Sequence, residues 1–217
     1  KSLLGIPKYG SINIHSSLLP KYRGAAPIQH ALLNQEDSTG VSTFLIEPKV
    51  DTGKIIDQLK IVITKDDNYG SLSKKLSEAG AGLIESSINK CLHHSSELTE
   101  QNNSIATLAP KISKEDLKIN WNDKSDVILA QVKAFSPTPG AFTTINSKRL
   151  KIFKAESIRN DNNHKIGSIY HVGKIFFDVQ CGKNALRLFK VQLEGKKAMD
   201  SKDFILGYQD LRSNILV

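Results

Sequence analysis

The chain has 217 residues, 39% of them hydrophobic, which is enough for one large domain or two small ones with buried cores. No apolar run is long enough to span a bilayer, no signal peptide opens the chain, and the two cysteines lack the spacing of a metal or redox site. These features argue against a membrane protein and a secreted disulfide framework, and they predict a soluble protein of a reducing compartment with a net charge of +8.

The first informative element is a short strand that ends in two polar side chains. Ile12 and Ile14 alternate with polar residues, which places Asn13 and His15 on one face. In open α/β sheets, ligands bind beyond the carboxyl ends of strands, and this strand ends at a loop rich in proline and glycine. An amide beside an imidazole can stabilise an oxyanion, so acyl transfer is the first reaction class to consider. The alternative is that both side chains satisfy buried backbone groups.

A helix and a second strand follow this loop. Pro27 suits a first helical turn and precedes the apolar residues 28–33, and residues 41–46 form the next β-rich run. The loop after that run contains Asp51, which we expect to reach the imidazole of His15 and to fix its tautomer for proton transfer. An ordinary Asx-type turn is the alternative.

The remainder of the first domain is a strand and a long helix. Residues 55–64 alternate well enough to predict one exposed strand face, and residues 70–92 carry apolar side chains at helical spacing. We therefore predict a domain over residues 1–92. The polar, weakly periodic residues 93–118 predict a linker.

The second predicted domain covers residues 119–217, and the whole excess of positive charge lies in the half of the chain that contains it. Residues 1–104 contain 11 basic and 11 acidic residues, whereas residues 105–217 contain 19 and 11. This asymmetry is typical of a surface for nucleic acid, with a lysine-rich solubilising surface as the alternative.

A helix over residues 123–135 is followed by five short β-like segments, which predict a small barrel like the oligonucleotide-binding (OB) fold. The five segments are Ala141–Ile145, Leu150–Ala155, Ser168–Val172, Ile175–Val179 and Ala185–Leu193. Four phenylalanines in this part are placed either to stack on bases or, more simply, to fill the core. They are Phe153, Phe176, Phe177 and Phe189.

Four motifs in order give the first half a family resemblance. They are Asn13-x-His15, Ser17-Leu18-Leu19-Pro20, Arg23-Gly24-Ala25-Ala26-Pro27-Ile28 and Asp51-Thr52-Gly53. Together they resemble the folate-dependent formyltransferases, and most closely the methionyl-tRNA formyltransferases. The resemblance implies that Asn13, His15 and Asp51 are catalytic. It further implies that Ser17, Leu18, Leu19 and Pro20 contact the tetrahydrofolate donor.

The second half resembles the carboxy-terminal domain of the same family. The matching segments are residues 109–115, the Pro-x-Pro-Gly-Ala turn, residues 149–155 and residues 194–199, while Thr138 stands where many relatives have an aromatic residue. The resemblance implies formyl transfer from 10-formyltetrahydrofolate to the amino group of initiator methionyl-tRNA by a monomeric enzyme that needs no metal and no membrane. The alternatives are a formyltransferase for amino sugars, a formyltetrahydrofolate hydrolase, and a nucleic-acid-binding module without activity.

The implied fold class is α/β, with the C-terminal part of a Rossmann-like formyltransferase domain followed by a small OB-like β-barrel. Only about a dozen residues precede Asn13, whereas the family's sheet has a further half before this strand. The resemblance therefore implies that the N-terminal half of the catalytic domain lies outside this sequence and that the 217 residues alone are inactive. Formylated initiation implies a bacterial cytoplasm, with a mitochondrial matrix second.

Overall fold

The structure, a computed structural model, describes residues 4–93, 98–161, 164–208 and 210–217. The chain divides into two compact units, Lys1–Ile112 and Ser113–Val217. This division differs from the predicted linker over residues 93–118, because the backbone after residue 98 pairs with the first unit. Thr99 forms a β-bridge with Ile55, and Leu108 forms one with Arg23.

The first unit is a three-stranded sheet with two helices. Its elements are β1 (Ile12–His15), α1 (Pro27–Leu33), β2 (Ser38–Leu45), β3 (Ile55–Val62) and α2 (Tyr69–His93). The strand order is β1-β2-β3 and both pairs are antiparallel, so the parallel arrangement of a Rossmann-like sheet is not found among these three strands. Strand β3 is buried at Ile55 and Ile56 and exposed at three consecutive residues from Gln58 to Lys60, so the alternating exposure expected for residues 55–64 is not found.

Helix α2 covers one face of this sheet and leaves the other face for polar side chains. A β-carbon on Gly80 of α2 would meet Ile14 and Val41, and the hydroxyls of Thr43 and Ser87 are hydrogen bonded at 2.7 Å. Because side chains alternate along a strand, Asn13 and His15 stand on the opposite face.

The second unit is an antiparallel sheet with two helices. Its elements are α3 (Ser125–Phe135), β4 (Ala141–Ile145), β5 (Lys148–Ile158), β6 (Ile169–Val172), β7 (Phe177–Gln180), β8 (Ala185–Leu193), β9 (Met199–Asp200) and α4 (Ser201–Gly207). The strand order is β4-β5-β8-β7-β6, with β9 paired to β8. The core is apolar and fully buried, and its large members include Ile145, Leu150, Ile152, Ile169, Phe177, Leu186 and Leu188.

The predicted closed barrel is not found, because β4 and β6 form the two ends of the sheet instead of pairing with each other. Both edges pair with the same terminal segment. Thr144 of β4 exchanges two backbone hydrogen bonds with Val217, and Ile169 of β6 donates to the carbonyl of Asn214. If β4 and β6 paired with each other, their edge N–H and C=O groups would be hydrogen bonded. Residues 214–217 provide part of these hydrogen bonds instead.

Among the residues that the structure describes, no helix has both the length and the apolar composition needed to cross a membrane.

Candidate active site

Asn13 and His15 lie two positions apart on β1, as the alternation predicts. His15 is 6% exposed and stands edge-on to the ring of Phe44, with 6.3 Å between ring centroids. The half-buried Asn13 side chain makes no hydrogen bond to any other described residue. Its amide is therefore available to a ligand, whereas the interpretation of Asn13 as a partner for buried backbone groups finds no support within the described residues.

The hydrogen bonds of His15 define which ring nitrogen carries a proton. Nε2 lies 2.9 Å from the main-chain oxygen of Tyr22, which can only accept, so Nε2 is the donor. Nδ1 lies 3.7 Å from Oδ2 of Asp51. This separation is too long for a direct hydrogen bond but close enough for an ion pair when the imidazole is protonated.

Tyr22 holds its carbonyl toward His15 through an unusual backbone conformation. Its φ of 61° is in the left-handed region, which is uncommon for a bulky residue and persists where the surroundings impose it. The phenol donates to Oε1 of Glu36 at 2.6 Å and accepts from Asn34 at 3.0 Å. Burial, followed by the hydrogen bond to Glu36, raises the pKa of Tyr22 to about 12, so the hydroxyl stays protonated and keeps this anchor.

Asp51 reaches the site through the loop between β2 and β3. Because β1 and β2 are antiparallel, the end of β2 lies beside the beginning of β1, with Leu45 opposite Ile12. The loop between β2 and β3 then turns back and carries Asp51 to His15. The predicted contact is present, but it depends on the path of this loop and not on neighbouring strand ends.

The carboxylate of Asp51 is held by the backbone of the loop after β1. Its Oδ2 accepts a hydrogen bond from the main-chain N–H of Gly24 at 2.8 Å. Gly24 has a φ of 123°, and a β-carbon there would lie 2.5 Å from the carbonyl oxygen of Ala109. Only glycine fits this position without displacing the backbone, and this explains why glycine follows Arg23 in the loop.

The loop from Ser17 to Pro20 is tied to the sheet by one buried hydroxyl. Ser42 Oγ accepts from the N–H of Leu19 at 3.0 Å and donates to the carbonyl of Ser17 at 2.6 Å. Gln58 Nε2 adds hydrogen bonds to Ser42 Oγ and to the carbonyl of Leu19. The loop backbone therefore has a single defined position over β2 and β3.

The four predicted folate-binding residues divide into two pairs in the structure. The side chains of Ser17 and Leu19 are buried, at 0% and 3% exposure, so they support the loop from beneath. Leu18 and Pro20 are half-buried, and together with Leu19 they line a cavity of about 270 Å³. Three of the four predicted residues therefore line this cavity, and Ser17 does not.

Several residues of the site carry no sequence signal that would have singled them out. Ser42, Gln58 and Tyr22 sit within ordinary patterns, and Gln101 lies in the segment predicted to be a linker. Gln101 is 7% exposed and hydrogen bonds to Arg23 and to the backbone at Asp51. Each of these contacts spans many residues of sequence, so spacing alone does not reveal them.

The described parts of the chain contain no cluster of three or more histidine, cysteine, aspartate or glutamate side chains placed to bind a metal ion.

The second unit carries a patch of aromatic and basic side chains. Asp178 is buried and pairs with Arg187 at 2.8 and 3.0 Å, which raises the pKa of Arg187. The guanidinium lies over the ring of Phe176, 3.7 Å from its centroid, and Phe176 meets Phe189 edge-on. Phe177 is fully buried, whereas Phe153, Phe176 and Phe189 are half-buried.

Comparison with known proteins places both units in one family. Residues 1–88 match the model of the formyl transferase domain, and residues 111–209 match the model of the formyl transferase C-terminal domain. The methionyl-tRNA formyltransferase of Agathobacter rectalis is 42% identical over 207 residues, which are 95% of this chain and 67% of that protein.

Solved structures agree with this assignment. HypX of Aquifex aeolicus in complex with tetrahydrofolic acid matches 90% of this chain and 34% of its own length, with a TM-score of 0.70 at 16% identity. An N-formyltransferase of Helicobacter canadensis in complex with folinic acid and dTDP-3-aminofucose matches 82% of this chain and 64% of its own length, with a TM-score of 0.66 at 25% identity.

Proposed function

The chain belongs to the formyl transferase family, and from that premise we propose that Asn13, His15 and Asp51 transfer a formyl group from 10-formyltetrahydrofolate to the amino group of methionyl-tRNA. The observation that carries the proposal is the unengaged amide of Asn13, two residues from a histidine whose second nitrogen faces Asp51. The donor is the one that the family uses. The acceptor follows from the names of the relatives that share about two thirds of their length with this chain.

The reaction adds an amine to a formyl carbon and expels the folate nitrogen. As the new C–N bond forms, the formyl oxygen becomes an oxyanion, which the Asn13 amide stabilises by a hydrogen bond and the positive charge of the protonated His15 ring stabilises electrostatically. Asp51 accepts the proton that leaves the attacking amine. The tetrahedral intermediate then collapses, the bond to the folate nitrogen breaks, and the proton held by Asp51 passes to that nitrogen.

The loop from Ser17 to Pro20 contacts the tetrahydrofolate donor in this proposal. Its backbone is fixed by Ser42, and Leu18 and Pro20 offer apolar surface beside the cavity. Because a preformed loop loses little conformational entropy when a ligand binds, this support favours affinity for the donor.

The second unit binds the acceptor tRNA in this proposal and is related to the OB fold in its arrangement. Residues 113–217 contain 18 basic and 11 acidic residues, which favours contact with phosphates. Half-buried Phe176 and Phe189, with Arg187 and Lys154 beside them, provide stacking and cationic groups of the kind used on single-stranded nucleotides.

An amino-sugar acceptor is the second candidate, favoured by the match to the Helicobacter canadensis enzyme. A parallel assay separates the alternatives. The full-length protein that contains this chain is given 10-formyltetrahydrofolate with methionyl-tRNA, free methionine or a dTDP-amino sugar. We expect formylation of methionyl-tRNA alone. Formylation of the sugar, release of formate without an acceptor, or tRNA binding without transfer would each contradict the proposal.

We place the protein in a bacterial cytoplasm, because the curated relatives are bacterial proteins. The proposed oligomeric state is a monomer, and light scattering on the purified protein tests it.

A further inference from the structure

We propose that Gln101 is a positioning residue for Asp51, an inference that rests on the proposed function. Gln101 is 7% exposed and lies in the segment that follows α2. Its Nε2 donates to the main-chain oxygen of Asp51 at 3.0 Å and to that of Gly53 at 2.7 Å. One side-chain amide thus holds the loop backbone at Asp51 itself and two residues beyond.

The orientation of the Gln101 amide is fixed by its other partner. Arg23 donates to Oε1 from Nε at 3.0 Å and from Nη2 at 2.7 Å. A guanidinium can only donate and a main-chain carbonyl can only accept, so the amide satisfies both sides in one orientation alone. Rotating it by 180° would remove the Gln101 acceptor from Arg23 and the Gln101 donor from both carbonyls.

Arg23 is suited to holding the Gln101 amide because its guanidinium forms no ion pair with an acidic side chain of the described residues. The guanidinium is 8% exposed, and within the described ranges of the chain no carboxylate lies at ion-pair distance from it. Its acceptors are Gln101 and the side chain of Asn103. A buried cation must be hydrogen bonded, so the interaction with Gln101 is costly to break.

The backbone of Asp51 requires such support. Its φ of 52° is in the left-handed region, which costs energy for a residue other than glycine unless neighbouring groups impose it. Gly24 holds the carboxylate, and Gln101 holds the main chain from the other side of the loop. Together they set the 3.7 Å separation between Asp51 and His15. Displacement by about 1 Å at such a group can lower a rate by about a hundredfold.

The variant Gln101→Glu tests this role. Glutamate still accepts from Arg23, but an ionised carboxylate cannot donate to the carbonyls of Asp51 and Gly53. In the full-length protein we expect kcat to fall by about tenfold to a hundredfold and its pH profile to change. The KM values for 10-formyltetrahydrofolate and methionyl-tRNA should change by less than about threefold.

A matched control is available in the second unit. Gln131 also donates from Nε2 to two main-chain carbonyls, those of Asp116 and Lys118. Gln131→Glu therefore loses the same two kinds of hydrogen bond, and we expect kcat within about twofold of the unchanged protein. If Gln101→Glu does not fold, Arg23→Lys keeps the charge but loses the forked contact to Oε1, and we expect it to lower kcat by about threefold to tenfold.

A double-variant cycle distinguishes positioning from a general structural effect. If Gln101 acts through Asp51, then Gln101→Glu combined with Asp51→Asn should be no slower than Asp51→Asn alone, within about twofold. Fully additive losses, or a loss confined to KM or to thermal stability, would overturn the positioning role. An Asp51→Asn protein with full activity would instead overturn the proposed function, and the inference would fall with it.

Discussion

Asn13 and Asp51 differ in how far the surrounding residues hold them in place. The Asn13 amide makes no hydrogen bond to the described residues around it, so its side chain is available to a reacting group. Asp51 is held through its carboxylate by Gly24 and through its main chain by Gln101. In the proposed function, replacing Asn13 removes a donor from the reaction, whereas replacing Asp51 also disturbs the loop that surrounds it.

We expect Asn13→Ala in the full-length protein to lower kcat by about a hundredfold to a thousandfold, as the loss of an oxyanion donor does. The free energy of unfolding should change by less than about 0.5 kcal/mol, because no hydrogen bond within the described residues is lost. Steady-state kinetics and denaturant unfolding measure the two quantities. Turnover within a few-fold of the unchanged protein would remove Asn13 from the mechanism.

Gly24→Ala should lower both stability and activity. The added β-carbon meets the carbonyl of Ala109, and the displaced N–H no longer holds Asp51. We expect a loss of about 1–3 kcal/mol in unfolding free energy and at least tenfold in kcat. Gly82→Ala in α2 is the control, since its β-carbon meets nothing within 4 Å and alanine favours helix. Equal behaviour of the two variants would contradict this account.

At the scale of elements, β2 serves both faces of its sheet. Ser42 points toward the loop from Ser17 to Pro20, whereas Thr43 points toward α2 and bonds Ser87. The loop therefore depends on β2 for its position, although Ser42 is 23 residues from Leu19 and 25 residues from Ser17 in sequence. The same strand also anchors the long helix on the opposite side.

We expect Ser42→Ala to raise the KM for 10-formyltetrahydrofolate by about tenfold, because the N–H of Leu19 and the carbonyl of Ser17 lose their buried partner. Ser87→Ala removes an equally buried hydroxyl from the other face, and it should lower stability without raising that KM. Steady-state kinetics of both variants separates the two roles. A similar KM for both would show that Ser42 does not position the loop.

Asp67, just before α2, makes hydrogen bonds that stabilise this unit and that weaken in acid. Burial alone would raise the pKa of Asp67, but hydrogen bonds from Lys75, Thr64 and Ser71 outweigh it and hold the pKa at about 2. Since the pKa in the folded protein is below the ordinary value of 3.8, the stabilisation is present above pH 4 and is lost as the pH falls toward 2.

Asp67→Asn should therefore lower the unfolding free energy by roughly 1–2 kcal/mol at neutral pH and flatten its dependence between pH 4 and 2. The exposed neighbour Asp66, changed to Asn, is the control and should leave both unaffected. Urea unfolding at a series of pH values measures the effect. If the Asp67→Asn protein still loses stability steeply between pH 4 and 2, other carboxylates cause that loss.

At the scale of the whole molecule, charge is divided between the two units. Residues 1–112 contain 12 basic and 11 acidic residues, against 18 and 11 in residues 113–217. In the proposed function, the first unit catalyses formyl transfer. The second, basic unit contributes much of the affinity for the polyanionic tRNA.

We expect the KM for methionyl-tRNA to rise steeply with salt, because counterions are released from each neutralised phosphate. The KM for 10-formyltetrahydrofolate should vary much less, since its site is formed by hydrogen bonds and apolar contacts. Kinetics between 50 and 200 mM salt tests the contrast. A tRNA KM that does not respond to salt would argue against a role for the basic unit.

The sequence predicted features that depend on neighbouring residues better than features that depend on contacts between distant residues. The strand with Asn13 and His15, the helix from Pro27, and the helix of residues 70–92 were predicted with nearly their observed limits, because periodicity and proline placement act locally. The antiparallel pairing of β1, β2 and β3 and the open order of the second sheet were not predicted, because strand pairing is decided by contacts between distant residues.

The sequence by itself determined the family, through four motifs in fixed order, and it indicated the residues that we propose carry the chemistry. Only the tertiary structure decided how Asp51 meets His15, which side chains of the loop from Ser17 to Pro20 are buried, and that Gln101 hydrogen bonds to the backbone at Asp51 and Gly53. The reason is physical: chemistry is carried by residue types that a sequence displays, whereas positioning is carried by hydrogen bonds between segments that only folding brings together.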